Sequence, residues 1–269
     1  MFFLPTSVPD RQGREAANNI VRESAASRRK PGADVDSTVA RFALFTCGEV
    51  PLWEDEVVEP ADRGICHITK SIPSTEITAS ATGAADTVFV DGVRYRRHLN
   101  GMGWVAETAS VAKTAHVASN AMIRGNAIVT GDAVVSGSAG VCEYAKIGGN
   151  ANIGGNAIVA GHAEVYGHAV VWGNARVLEN AVVCGNAKIC GDAIVSEEAV
   201  ISEDAVVGGS AGVCGRAKVN GHAEIWGNAV IGGDAVVSAN TVVRGNAKIC
   251  GDAYLDEDAV VGGDTVIRE

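Results

Sequence analysis

Residues 121–132 read AMIRGN-AIVTGD, two copies of one six-residue unit. The small residue recurs at every sixth position from Ala109 to Thr265, and only Thr241 and Thr265 replace alanine. An aliphatic stands two positions after each small residue, from Val111 to Ile267. The result is 27 consecutive units with no insertion or deletion. Small residue and aliphatic are two apart, so both point to one face of a short strand. Gly fills the slot two before the small residue in 18 of 27 units, and Asn or Asp the slot just before it in 17 of 27. These residue types accept left-handed backbone angles at the lowest cost. Each unit is therefore a short strand and a corner. A period this short and regular predicts an all-β solenoid in which every coil stacks on the last.

The spacing Val111 to Ala115 or Ile123 to Ala127, an aliphatic followed four residues later by a small residue, holds in every unit. In this the chain resembles the left-handed parallel β-helix of hexapeptide-repeat proteins, the acyltransferase-like superfamily. The resemblance covers residues 109–269. It implies triangular coils of three units, hence about nine coils from the 27 units. At roughly 4.8 Å per stacked strand the prism is on the order of 43 Å long. Inward aliphatics at roughly 1.5–3 kcal/mol each are a sufficient core. Compact chains of this type also look like uncharacterised phage and bacterial proteins.

Composition sets wider bounds. The chain has 269 residues, 47% of them hydrophobic, and a net charge of −10. A soluble protein of two parts is expected, cytoplasmic, with no membrane-spanning run. The start, Met1-Phe2-Phe3-Leu4-Pro5, lacks the charged flank of a signal peptide. Acidic charge makes direct nucleic-acid binding an unexpected role. Five of the seven cysteines (Cys142, Cys184, Cys190, Cys214, Cys250) follow an inward aliphatic and face outward. The nearest pair on one column is two coils, roughly 10 Å, apart, too far for a disulfide. Reduced thiols and no metal cluster are expected.

Residues 1–108 carry no repeat and are expected to form a small mixed α/β region that caps the prism. Asp10 to Lys30 and Ser37 to Phe45 are helix-compatible. Asp91-Gly92 between two alternating runs predicts a hairpin over 87–97. Trp104 is expected to plug the open end of the first coil. Arg94, Arg96 and Arg97 are expected on a solvated strand face.

The resemblance brings an enzymatic reading with it. It implies a trimer with acyl-CoA in the cleft between prisms and a histidine as general base. Such a base would be His116, His162, His168 or His222. Three of them, His162, His168 and His222, sit where Asn or Asp usually makes the corner, and histidine shares that tolerance for left-handed angles. The chain also lacks the extruded loop with which family enzymes build a substrate pocket. GNAKICGDA recurs at 185–193 and 245–253, ten units apart, which moves the copy to another face.

Outward features point instead to binding. The slot between small residue and inward aliphatic holds Val, Ile or Met in 14 of 27 units. Trp172 and Trp226 share one outward column and Tyr166 lies on another. Apolar faces of this kind predict self-association, as a trimer or dimer, or a protein partner. The acids Glu197, Glu198, Glu203 and Asp204 are either a solvated surface or a patch for a basic groove. The expected function is a non-catalytic scaffold that works by protein binding or self-assembly, including action as an acidic inhibitor or mimic. The alternative is a trimeric acyl-CoA-dependent acyltransferase.

Overall fold

A computed structural model describes residues 87–268 of the chain. These residues form a left-handed parallel β-helix with no α-helix among them. The N-terminal segments expected to be helical lie outside the described residues. Three strands come first: β1 (Thr87–Val90), β2 (Val93–Arg97) and β3 (Trp104–Ala106). Then every hexapeptide contributes one short strand, β4 (Ser110–Val111) through β30 (Val266–Arg268). Each strand pairs in parallel with those three units before and after it, as Lys146 with Glu164 and Ile147 with Val165. Three sheets result: sheet I of 12 strands beginning with β1, sheet II of nine beginning with β4, and sheet III of nine beginning with β5 (His116–Val117). Among the described residues no helix is long and apolar enough to cross a membrane.

The core is the two inward columns of each sheet. Alanines from Ala115 to Ala247 and aliphatics from Val117 to Ile249 are at most 1% exposed. Alanine predominates beside a corner, because the chain turns there and leaves little volume, although Thr241 is also fully buried in this slot. All 18 glycines of the corner slot, Gly125 to Gly263, have positive φ. So do Glu143, Glu179, Glu197, Glu203, Ala239 and Glu257, at 55° to 66°.

Glutamate at a left-handed corner has a physical reason. Most corner amides pair with the coil above, as Asn186 N donates to Glu203 O at 2.7 Å. At Glu179, Glu197 and Glu203 the carboxylate takes the corner N–H of the next coil. Gly215 N donates to Glu197 Oε2 at 2.6 Å and Gly221 N to Glu203 Oε2 at 2.8 Å. That bond offsets the cost of φ near +60° in a residue with a Cβ. Glu197→Ala should therefore cost about 1 kcal/mol, losing the bond and keeping the strain. Glu197→Gly, which relieves the strain, should be close to neutral. Urea unfolding of the two variants checks this, and equal losses would refute the account.

The next slot is tied together by side chains. Asn156 donates to Asn174 at 3.1 Å and Asn174 to Asp192 at 2.8 Å. Asn228, Asn246 and Asp264 repeat the ladder at 3.0 and 2.8 Å. Each carboxamide passes a donor upward, and aspartate, which only accepts, ends the row.

At the N-terminal end β1 and β2 are antiparallel about Asp91-Gly92 (φ 51° and 75°). β2 pairs antiparallel with β3, and β3 runs parallel to β6 (Met122–Ile123). Trp104 does not plug the prism. Its partner is the outward Met122, and Val105 aligns with the inward Ile123. Side chains alternate along a strand, so this register sends the indole to the outer surface of sheet I. There it is 6% exposed, with the Arg97 guanidinium 3.7 Å from the ring centroid. The residues that run along β5 are Asn100 to Gly103: Gly103 N donates to Val117 O at 2.8 Å and Val117 N to Asn100 O at 2.9 Å. The approach is so close that a Cβ on Gly103 would sit 2.3 Å from Val117 Cγ1. Gly103→Ala should lift this segment at about 1–3 kcal/mol and raise hydrogen exchange at the Val117 amide. Unchanged protection there would refute the role.

The last described coil is less buried than those before it. Its inward Leu255, Val261 and Ile267 are half-buried, and the outward Val260 and Val266 are 64% and 50% exposed. Asp256, Glu257 and Asp258 stand on its rim.

Candidate functional site

The corner histidines are placed apart. His162 lies on the edge that leads into sheet II, and His168 and His222 on the edge that leads into sheet III. The last two are 54 residues apart, which is three coils of 18. The His162 ring stacks on Tyr144 one coil away, with centroids 4.9 Å apart and planes 7° from parallel. His222 Nδ1 stands 3.9 Å from Asp204 Oδ2, beyond hydrogen-bond reach for an orienting carboxylate. Asp204 already accepts from Asn186 Nδ2 at 3.0 Å. His116 contacts Asn100 Oδ1 through Nδ1 at 3.1 Å, so it belongs to the N-terminal end. Among the described residues no three His, Cys, Asp or Glu side chains converge as a metal site would need.

The four acids clustered in sequence separate in space. Glu197 and Glu198 lie on the edge before sheet II, Glu203 and Asp204 on the edge before sheet III. The carboxylates of Glu197, Glu203 and Asp204 are engaged within the fold, as described above. Glu198 is exposed.

The outward apolar residues also distribute unevenly. On sheet II the column reads Ile128, Lys146, Glu164, Val182, Val200, Lys218, and Lys146 pairs with Glu164 at 2.9 Å. On sheet III it reads Val134, Asn152, Val170, Lys188, Val206, Glu224. On sheet III valines alternate with amide or charge over Val134–Glu224, and on sheet II Lys146, Glu164 and Lys218 bound the Val182–Val200 pair, so neither stretch is continuously apolar. Sheet I is different: Met122, Gly140, Ile158, Arg176, Ile194, Gly212, Val230. Its adjacent column, Cys142, Ala160, Ser196 and Cys214, is buried, so this sheet is not a bare face. Cys184, Cys190 and Cys250 are free thiols, as expected, and Cys214, against expectation, is disulfide-bonded. Burial pushes the Cys190 thiol up from its ordinary value.

Within the hexapeptide units the exposed aromatics sit on sheets II and III. Tyr144 and Tyr166, 53% and 43% exposed, flank sheet II. A hydrogen bond with Cys184, with burial added, raises the Tyr166 phenol. Trp172 and Trp226, 47% and 37% exposed, lie in one column of sheet III. Each indole fills the space of a missing side chain one coil below. A Cβ on Gly154 would lie 1.9 Å from Trp172 Cζ3, and one on Gly208 2.2 Å from Trp226 Cζ3. Trp226 Nε1 donates to Glu224 Oε2 at 3.2 Å. Two residues before Gly154, Asn152 Oδ1 is buried without a partner. The Gly–Trp pairing escapes a reading of single hexapeptides. It becomes legible only when the sequence is written in rows of 18, where Gly154 falls above Trp172 and Gly208 above Trp226.

No protein-family model matches this chain, and no curated protein sequence matches it. Among solved structures, LpxA from Acinetobacter baumannii is similar, with 20% identity and a TM-score of 0.50 over 60% of this chain and 71% of that one. At that identity the likeness is one of fold, and the fold shared is the left-handed parallel β-helix.

Proposed function

We propose that the prism works by binding, as a non-catalytic scaffold that associates with itself or with a protein partner. The observation that carries this is the state of the corner histidines. His162 is stacked on Tyr144, and the carboxylate nearest His222 stands 3.9 Å away and already holds Asn186. A general base needs an orienting hydrogen bond and a place for substrate beside it. The 27 units run without the loop that would build such a place. Exposed Tyr144, Tyr166, Trp172 and Trp226 are the side chains best suited to hold a partner, being large, rigid and amphipathic. The acidic-mimic form of this reading draws less support, since the Glu197, Glu203 and Asp204 carboxylates already serve the fold. The free thiols of Cys184, Cys190 and Cys250 fit a cytoplasmic setting, and the Cys214 disulfide counts against it.

The likeness in fold to LpxA keeps one second reading in play, the trimeric acyltransferase. Light scattering coupled to size-exclusion chromatography, followed by titration with acetyl-CoA and a long-chain acyl-CoA, separates the two. The binding scaffold predicts no acyl-CoA uptake in any assembly state. A trimer that takes up acyl-CoA, and whose transfer activity falls on His162→Ala, His168→Ala or His222→Ala, would replace it.

A further inference from the structure

We infer that the Trp172–Trp226 column of sheet III is a binding track for an extended, uncharged, β-1,4-linked pyranose chain. Four observations meet there. The two indoles are 54 residues apart, three coils of 18, so they stand roughly 14 Å apart on one straight line. Both are exposed, yet each is seated in the place of a glycine side chain, at Gly154 and Gly208. That seating recurs at the same interval and fixes two rings on one surface. Between them the column holds only half-buried Cys190 and Gly208, which is buried under the Trp226 ring, so nothing bulky interrupts the track. Beside it runs the Asn156–Asn174–Asp192 ladder. Each carboxamide there spends one N–H on its neighbour and keeps a second for an outside acceptor.

A pyranose ring offers a flat C–H face to an indole and hydroxyls at its rim to carboxamides. Equatorial 1,4 linkages keep successive rings in a straight ribbon, which is the shape that reaches two platforms on a flat sheet. α-1,4 linkages coil the chain away from the second platform. Charge supports an uncharged ligand: the chain carries −10 overall, which repels polyanions. This inference does not rest on the scaffold reading, because the track is complete within one prism.

The test is calorimetric titration of the full chain with cellohexaose and with chitohexaose, beside pull-down on microcrystalline cellulose and on chitin. Binding of at least one hexasaccharide is expected. Trp172→Ala and Trp226→Ala should each weaken it about tenfold, as loss of one stacking platform does, and the double variant should abolish it. Gly154→Ala keeps both tryptophans but pushes the Trp172 ring off its seat, so it should weaken binding while the thermal midpoint holds. Absence of binding to both hexasaccharides would overturn the inference. So would binding that survives the double substitution. A change in solution mass in the Trp variants without any glycan binding would assign the column to a protein contact instead.

Discussion

Ile189→Ala is expected to destabilise the prism by about 2–5 kcal/mol, and Ile267→Ala by no more than half of that. The two side chains hold the same slot of the repeat and differ only in their neighbours. Ile189, in β17 (Lys188–Ile189), is 0% exposed and stacked between Val171 and Val207 of the coils on either side. Ile267 lies in the last coil, half-buried, with Ile249 on one side only. Truncation at position 189 removes packing at two interfaces and leaves a cavity that rigid short strands cannot close. A solenoid is close to a one-dimensional array, in which stability is a sum of coil and interface contributions. A weakened central interface therefore does something a weakened end does not. It lets the two halves melt separately, so the urea m-value of Ile189→Ala should fall while that of Ile267→Ala stays near the parent value. Equal losses at both positions, with unchanged m-values, would mean that the core behaves as one undivided unit and that the stacking argument is wrong.

The coil, its parity and its corners are legible in the hexapeptide itself, because each depends on neighbours within six residues. The Ala and aliphatic columns follow from the alternation, and positive φ follows from Gly125, Gly131 and their equivalents. What the hexapeptide hides is everything set by the next coil. Glu197 and Glu203 read as free acids because their carboxylates reach 18 residues ahead, to Gly215 and Gly221. The apolar outer slots add up to bare faces only until Lys146, Glu164, Lys188 and Glu224 take their places between the valines. His162 reads as a corner residue and a candidate base, and its contact with Tyr144 belongs again to the 18-residue period. Trp104 departs from its expected place for a different reason. It precedes the first full unit, so no periodic neighbour sets its parity, and only the Trp104–Met122 register decides which way it points.

That register carries the other large effect. Trp104→Ala is expected to cost about 3–5 kcal/mol, the range for a buried aromatic truncated to a methyl, although the ring lies outside the prism. The indole is 6% exposed and sits beneath Arg97. The same guanidinium donates to Met102 O at 2.6 Å and Ser119 O at 3.1 Å. One side chain thus ties β2, the Asn100–Gly103 segment and the corner at Ser119 together, and the indole is the surface that holds it in place. Losing the ring should release that clasp as well as its own packing. Arg97→Ala should cost less, about 1–2 kcal/mol, because it removes the guanidinium's contacts and leaves the indole in place. A double-mutant cycle between the two positions should return a coupling of about 0.5–2 kcal/mol. Since β1 and β2 form the edge of sheet I, the Trp104→Ala chain should also expose β3 to pairing with other chains. Concentration-dependent light scattering below the unfolding transition would show it. A variant that loses less than about 1 kcal/mol and stays unassociated would mean that the N-terminal end is closed by the Gly103–Val117 pairing alone.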